Sequence, residues 1–221
     1  MADQEFTPRA AFAGLADLAP GPASFARDAG VGVIATDRDG LGLATVALRK
    51  GQRESLTQCV RERYGIELPQ GPHRAAARIT AVNGAAAAGI AFIGTGPEVW
   101  LATQEKGGND FAKSLEREIG GMASVSDQSD GYAVLRLAGP KLRDTLAKLI
   151  LIDVHPRVFK PGDVASTVAA HVGATLWRLP DGPDGAPVFE IAVFRSLAAS
   201  FWHALAESGA EFGLLELRAL A

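Results

Sequence analysis

The spacing of apolar residues changes period several times along this chain, and each change predicts an element. Val31 to Ala35 and Leu41 to Leu48 are short apolar runs separated by Asp37-Arg38-Asp39-Gly40. An Asp-Gly pair supplies the positive φ of a tight turn, so two strands joined as a hairpin are expected. Leu56, Val60 and Tyr64 then fall at i, i+4, i+8 with Arg53, Glu54, Arg61 and Arg63 between them, the pattern of an amphipathic helix ending near Gly65. Ile90 to Thr103 reads as a second hairpin around Gly94-Thr95-Gly96-Pro97. Asn109 is a candidate N-cap for a helix on which Phe111, Leu115 and Ile119 recur every four residues, before Gly120-Gly121 closes it.

The second half repeats this grammar. A strand from Tyr132 to Ala138 leads through Gly139-Pro140 into a helix with the stripe Leu142, Leu146, Leu149. Lys160-Pro161-Gly162-Asp163 fits a type II turn. A long strand is expected after it, with Val168, Ala170, Val172, Ala174 and Leu176 on one face, then a loop at Asp181 to Gly185 and a strand at Val188 to Phe194. Ser196 is a candidate cap for a last helix carrying Leu197, Phe201 and Leu205, with Trp202 beside them.

Two successive units, each with helices on one face of a mostly antiparallel sheet, predict an α+β protein of two ferredoxin-like halves. A doubly wound parallel sheet is the less favoured alternative, because parallel strands cannot be joined by direct hairpins. The expected organisation is an N-terminal arm at 1–29, rich in Pro and small residues, a first half at 30–121, a second half at 122–208 and a C-terminal tail at 209–221.

Composition narrows the function classes. The 221 residues suffice for a buried core without staples. Lys+Arg 22 against Asp+Glu 25 gives −3, which leaves no field to draw the chain to nucleic acid or an anionic membrane. The longest apolar candidate, Gly84 to Ile93, is far below the ~18 residues of a membrane span. One cysteine, Cys59, and an N-terminus with acids where a signal peptide needs basic and apolar residues point to a reducing cytoplasm. Cys59 sits beside the apolar stripe of its helix and reads as core.

Candidate chemistry is sparse. Gly30-Val31-Gly32-Val33-Ile34-Ala35 matches G-x-G-x-x-A by letter, but the segment itself reads as a strand, whereas a dinucleotide site needs a strand before the first glycine and a helix after it. Gly107-Gly108 and Gly120-Gly121 read as helix terminators. His73, His155, His171 and His203 lack the spacing of a metal set. Asp153-x-His155 is one half of an acid/base or metal site, with no evident other half, and reads more simply as a turn before Pro156. Arg49, Lys50, Arg53, Arg61 and Arg63 cluster locally, but Glu54 and Glu62 dilute them into a solvated helix face.

A resemblance adds to this. Ser126-Asp127-Gln128-Ser129 followed by DGYAVLRLAGPKLRDTLAKL is similar to the folate-binding aminomethyltransferase superfamily, in which a D-x-S turn, a strand ending in Gly and a leucine-bearing helix recur. VHPRVFKPGDVAST from Val154, AHVGATLWRL from Ala170 and FEIAVFRSLAASFWHAL from Phe189 resemble the gamma subunits of heterotetrameric sarcosine oxidases within it. The likeness covers 120–208 and extends to Thr7-Pro8-Arg9-Ala10-Ala11-Phe12-Ala13-Gly14-Leu15, a Pro-containing hook.

The resemblance implies the aminomethyltransferase folate-binding-domain fold without its C-terminal β-barrel, in a non-catalytic subunit. That subunit would support a cytoplasmic complex in which alpha, beta and delta partners hold flavins, NAD, tetrahydrofolate and zinc, and in which sarcosine is demethylated to glycine. No catalytic, cofactor or metal residue carries over. Asp127 and Ser129 match the D-x-S turn and read as structural, because their side chains can satisfy turn N–H groups. A subunit without chemistry acts through contact, and Phe6, Arg9, Phe12, His155, Arg157 and Phe159 have the aromatic and Arg content of interface anchors. That Phe12 and Phe159 instead cover this chain's own core stays open. The alternatives are a free-standing folate-binding or aminomethyltransferase-like protein, or the gamma chain of a related N-methyl amino acid dehydrogenase.

Overall fold

A computed structural model describes residues 10–12, 30–72, 74–78, 81–82, 85–86 and 89–217. In chain order the elements are β1 (Val33–Asp37), β2 (Gly42–Leu48), α1 (Arg53–Tyr64), β3 (Ala75–Arg78), β4 (Ala81–Val82), β5 (Ala85–Ala86), β6 (Ile90–Gly96), β7 (Val99–Gln104), α2 (Phe111–Ile119), β8 (Ala123–Asp127), β9 (Tyr132–Ala138), α3 (Leu142–Leu149), β10 (Val164–Ala169), β11 (Val172–Arg178), β12 (Val188–Phe194), α4 (Ala198–Gly209) and β13 (Leu214–Leu217). The class is α+β, as expected. One sheet runs β10-β11-β12-β9-β1-β13 and a second β3-β6-β7-β2-β8, with β4-β5 a small pair apart. Among the described strands, only β1 and β13 pair in parallel.

Three apolar clusters organise the layers. Leu142, Leu146, Phe201, Trp202 and Leu205 seal α3 and α4 against the six-stranded sheet. Leu56, Val60, Phe111, Leu115 and Ile119 seal α1 and α2 against Val46, Phe92 and Trp100 of the five-stranded one. Between the sheets, Leu43, Ile93 and Leu101 from one meet Val134, Trp177 and Ala192 from the other. Helices thus lie outside and the sheets face each other.

The hairpin expected from Val31 to Leu48 does not form. Its turn is present, with Leu41 N–H donating to Arg38 C=O at 3.1 Å and Gly40 at φ +79°. Its strands, however, go to different sheets: β1 pairs with β9 and β13, and β2 with β7 and β8. The corner carries the chain from one layer to the other, because each strand buries more by joining a central position than by pairing with its neighbour in sequence. The sheets exchange strands across residue 121, since β8 joins the five-stranded sheet and β1 the six-stranded one. Leu214–Leu217, within the segment read as a tail, extends the six-stranded sheet beside β1.

The β6–β7 hairpin forms as expected, with a register shift between Gly94 and Gly96. The single long strand from Val164 to Leu176 is instead a hairpin, β10 and β11, turning at Ala170-His171, both with positive φ. No glycine marks that turn; two αL residues in a row make the type I′ geometry that suits twisted strands. The reversal also changes the facing, so Ala169 is buried while Val168 is exposed. Neither helix cap is as expected. Asn109 lies in a 3-10 turn ahead of α2, and Ser196 in another ahead of α4, whose N-cap residue is Leu197 with no side-chain bond.

Candidate functional site

The inter-sheet centre holds a cluster of polar side chains. Glu190 on β12 sits opposite Arg136 on β9 and Trp177 on β11. The strict alternation of these strands turns all three side chains away from the helix layer, and the Glu190 side chain is only 8% exposed. Its Oε2 accepts the Trp177 indole N–H at 2.9 Å, and its Oε1 lies 2.7 Å from Arg136 Nη2. Arg38, at the corner after β1, brings Nε to 3.1 Å from Glu190 Oε1, an ion pair too far off line to be a hydrogen bond. Glu105, just after β7 on the opposite sheet, pairs with both arginines. Two cations and two carboxylates therefore neutralise one another, and the cluster ties the sheets together.

A pterin ring presents N–H groups that want a free carboxylate, and the buried Glu190 carboxylate does not fit that need, because an indole and two guanidiniums already engage it. Among the described residues an open concavity lies elsewhere, a shallow groove on the rim of the six-stranded sheet. Ser166, Val168, Gly173, Thr175, Ala192, Tyr132 and Phe194 line it, with Tyr132 and Phe194 stacked at 5.0 Å. No group of three or more metal-ligating side chains occurs among the described residues.

Of the residues singled out as interface anchors, Phe12 is 1% exposed and packs on Trp202 at a centroid distance of 6.3 Å. Phe159 is buried on Phe189 at 5.9 Å. Both are turned into the core, so neither offers its ring to a partner; an aromatic ring in a connecting segment gains more by covering an open core edge than by facing water. His155 and Arg157 are exposed, while Phe6 and Arg9 lie outside the described residues. His73 also lies outside them.

The segment from Ile150 to Lys160 is held tightly. Asp153 Oδ1 accepts the His155 N–H at 2.8 Å, and His155 C=O accepts the N–H groups of Val158 and Phe159. Arg143 Nε donates to Val154 C=O and Arg178 Nη1 to Phe159 C=O. Asp153-x-His155 is thus the frame of a turn. Asp127 Oδ1 accepts the Ser129 N–H at 2.9 Å, and Ser129 Oγ accepts the Leu43 N–H at 3.2 Å, which pins the β8–β9 connection to β2.

The letters of the dinucleotide fingerprint lead into β1 with no helix after them. Gly32 is needed there for another reason: a Cβ would strike the Phe212 carbonyl, which accepts the Gly32 N–H at 2.8 Å. Cys59 is half-buried against the α1–α2 cluster. Arg61 pairs with Glu67 and Arg63 with Glu118 on the solvated face of α1.

Sequence reasoning missed the Arg38, Glu105, Arg136, Glu190 and Trp177 cluster. A signal existed: Arg136 and Glu190 are single charges within otherwise apolar strands, YAVLRLA and VFEIAVF. One charge in a strand buried on both faces implies a partner of opposite sign across the sheet.

Comparison with known proteins places this architecture. The profile of the GCVT N-terminal domain family matches residues 83–220. The chain belongs to that family. Among curated GCVT-related proteins, an aminomethyltransferase of Saccharopolyspora erythraea is 38% identical over 103 residues, covering 47% of this chain and 27% of the relative. The sarcosine oxidase gamma subunit of an Arthrobacter species is 35% identical over 94 residues, 42% of this chain and 46% of the relative. The chain thus matches less than half the length of either. A solved heterotetrameric sarcosine oxidase from Corynebacterium sp. U-96 contains a chain of the same fold, with TM-score 0.71 and 22% identity, covering 95% of this chain and 98% of that one. The glycine cleavage aminomethyltransferase of Bartonella henselae matches at TM-score 0.58 and 13% identity, over 86% of this chain and 48% of that one. No helix among the described residues is long and apolar enough to cross a membrane.

Proposed function

We propose that this chain is the gamma subunit of a heterotetrameric sarcosine oxidase, a non-catalytic member that supports assembly. Its alpha, beta and delta partners would carry flavins, NAD, tetrahydrofolate and zinc, and would demethylate sarcosine to glycine in the cytoplasm with tetrahydrofolate as the one-carbon acceptor. The observation that carries this reading is the two-way fit of the fold. A chain of heterotetrameric sarcosine oxidase is matched over 98% of its length, whereas the aminomethyltransferase chain is matched over 48%. The 35% identical gamma subunit and the self-neutralised inter-sheet centre support it.

The test is to produce the other three subunits with and without this chain and to follow sarcosine-dependent oxygen uptake. The expected result is a stable, active tetramer only when the chain is present. The isolated chain should show neither flavin absorbance nor sarcosine turnover, and bound flavin or turnover in it would overturn the proposal. The aminomethyltransferase reading is favoured by the 38% identical Saccharopolyspora relative. Calorimetric titration of the isolated chain with tetrahydrofolate separates the two, since micromolar binding would promote that second reading.

A further inference from the structure

Of the six large apolar side chains that stand exposed among the described residues, Val31 and Leu197 lie apart and the other four are grouped. Leu151 is 98% exposed, Val158 60%, Val168 52% and Phe194 51%. These four flank one feature, the β10 edge of the six-stranded sheet. Ile150 bridges Ala169 in antiparallel fashion, which sets Leu151 beside Val168 at one end of β10. Val168 and Phe194 both line the groove on that strand's inner side. The loop bearing Leu151 and Val158 then runs back to the other end of β10, where Lys160 N–H donates to Asp163 Oδ2 at 2.7 Å.

Charge follows the same edge. Arg157 and Lys160 are exposed and have no carboxylate partner among the described residues, and Arg143 spends only its Nε on Val154 C=O. The nearby carboxylates are already engaged: Asp163 with Arg74 at 2.8 Å, Asp181 with Arg178 at 2.7 Å, and Asp153 with the His155 N–H. Burial, and then the neighbouring Arg178, hold the Arg143 pKa below its usual value against the opposing pull of Asp181. In a chain whose net charge is −3, this edge carries the opposite sign. The edge strand itself, VASTVA, has no charge, Pro or bulge to deter pairing. Because Val154 and Phe159 are buried and the loop's turns are hydrogen-bonded, the exposed groups are held in place and docking would cost little ordering entropy.

We propose that the β10 edge, with the loop from Leu151 to Lys160, seats a larger subunit of the complex, which brings an apolar side chain to Leu151, Val168 and Phe194 and carboxylates to Arg157 and Lys160. This rests on the proposed function. It moves the contact from the rings of Phe12 and Phe159 to the residues around them.

The test uses the full chain, tagged and produced with the other three subunits. Leu151→Asp and Arg157→Glu are compared with Arg117→Glu, the same charge change on the exposed face of α2. Neither Leu151 nor Arg157 uses its side chain to hold the fold, so each isolated variant should melt within about 1 °C of the parent. The expected result is that each lowers complex recovery about tenfold, that the pair lowers it further, and that Arg117→Glu leaves it unchanged. Raising the salt should reproduce part of the Arg157→Glu effect. Unchanged recovery in both variants, or equal loss with Arg117→Glu, overturns the inference while the proposed function stands. A parent chain that dimerises alone, in a manner abolished by Leu151→Asp, also overturns it, because the edge would then serve a second copy. If the parent itself assembles with no other subunit, both readings fall.

Discussion

On the outer face of the five-stranded sheet, Arg53 pairs with Glu98, Arg61 with Glu67 and Arg63 with Glu118, and none of the large apolar residues exposed among the described residues is there. On the six-stranded side Lys141 pairs with Asp144 and Lys148 with Glu211 in the same way, so the difference lies in the apolar residues: Val31, Leu151, Val158, Val168, Phe194 and Leu197 are all exposed. Both units have an apolar core sealed by two helices. The contrast concerns what each surface is built to meet. Exposed charges add little to stability and keep a surface solvated, whereas grouped exposed apolar side chains are unfavourable in water and gain when covered. One side of the molecule is finished and the other is left to be completed.

The comparison holds only if the units are locked as one body, and the largest expected effect comes from breaking that lock. Glu190→Ala removes the buried carboxylate that Arg38, Arg136 and Trp177 share, and leaves two guanidiniums with only the half-exposed Glu105 carboxylate between them. A loss of about 3–5 kcal/mol in urea unfolding is expected, with a second transition if the halves then separate. A cost under about 1 kcal/mol would mean that apolar packing at Leu43, Val134 and Trp177 holds the sheets alone. Trp177→Phe sharpens this by keeping most of the ring and deleting only the indole N–H. It should cost about 1.5–3 kcal/mol, the range for a hydrogen bond to a charged group. Because both changes act on one carboxylate, the double variant should cost less than their sum.

The same contrast separates what was legible in the sequence from what was not. Elements fixed by near neighbours were readable: the stripes of α1, α2 and α3, the β6–β7 hairpin, and the turn at Lys160-Pro161-Gly162-Asp163, where Asp163 N–H donates to Lys160 C=O at 2.9 Å. Pairings set by distant segments were not. Nothing near Val33 says that it will lie beside Leu214, and the Asp-Gly corner looks the same whether the strands it joins pair or part. The β10–β11 turn escaped because Ala170 and His171 occupy a conformation normally signalled by Gly or Asn. The polar cluster escaped because its members come from five segments, although Arg136 and Glu190 each break an apolar strand in a way that asks for a partner. The D-x-S turn was readable because its bond from Ser129 N–H to Asp127 Oδ1 is local. The docking edge was half readable: its loop was noticed, but the large aromatic within it, Phe159, is the residue the fold keeps for itself.

The smallest effect tests whether the finished side is stabilised within its own helix layer. Tyr64 at the end of α1 donates its hydroxyl to Glu118 on α2, and its ring lies 6.1 Å from Phe92. Burial first, and then the Glu118 carboxylate, push the phenol's pKa well above its ordinary value. An acid whose pKa is raised by folding binds its proton more tightly in the folded state. Its contribution is therefore fully present below the unfolded pKa of about 10, and is lost as pH rises from there toward the folded value. Tyr64→Phe keeps the ring and removes both the hydrogen bond and the titration. At neutral pH the variant should be about 1 kcal/mol less stable, at the low end for a charge-assisted bond because both partners are partly exposed. That difference should stay constant from about pH 6 to 9 and shrink above pH 10, where the parent loses stability faster than the variant. Denaturant midpoints measured across this range decide it: a difference that stays flat to pH 11 would mean that the phenol titrates alike in the folded and unfolded chains, and that Glu118 does not hold its proton.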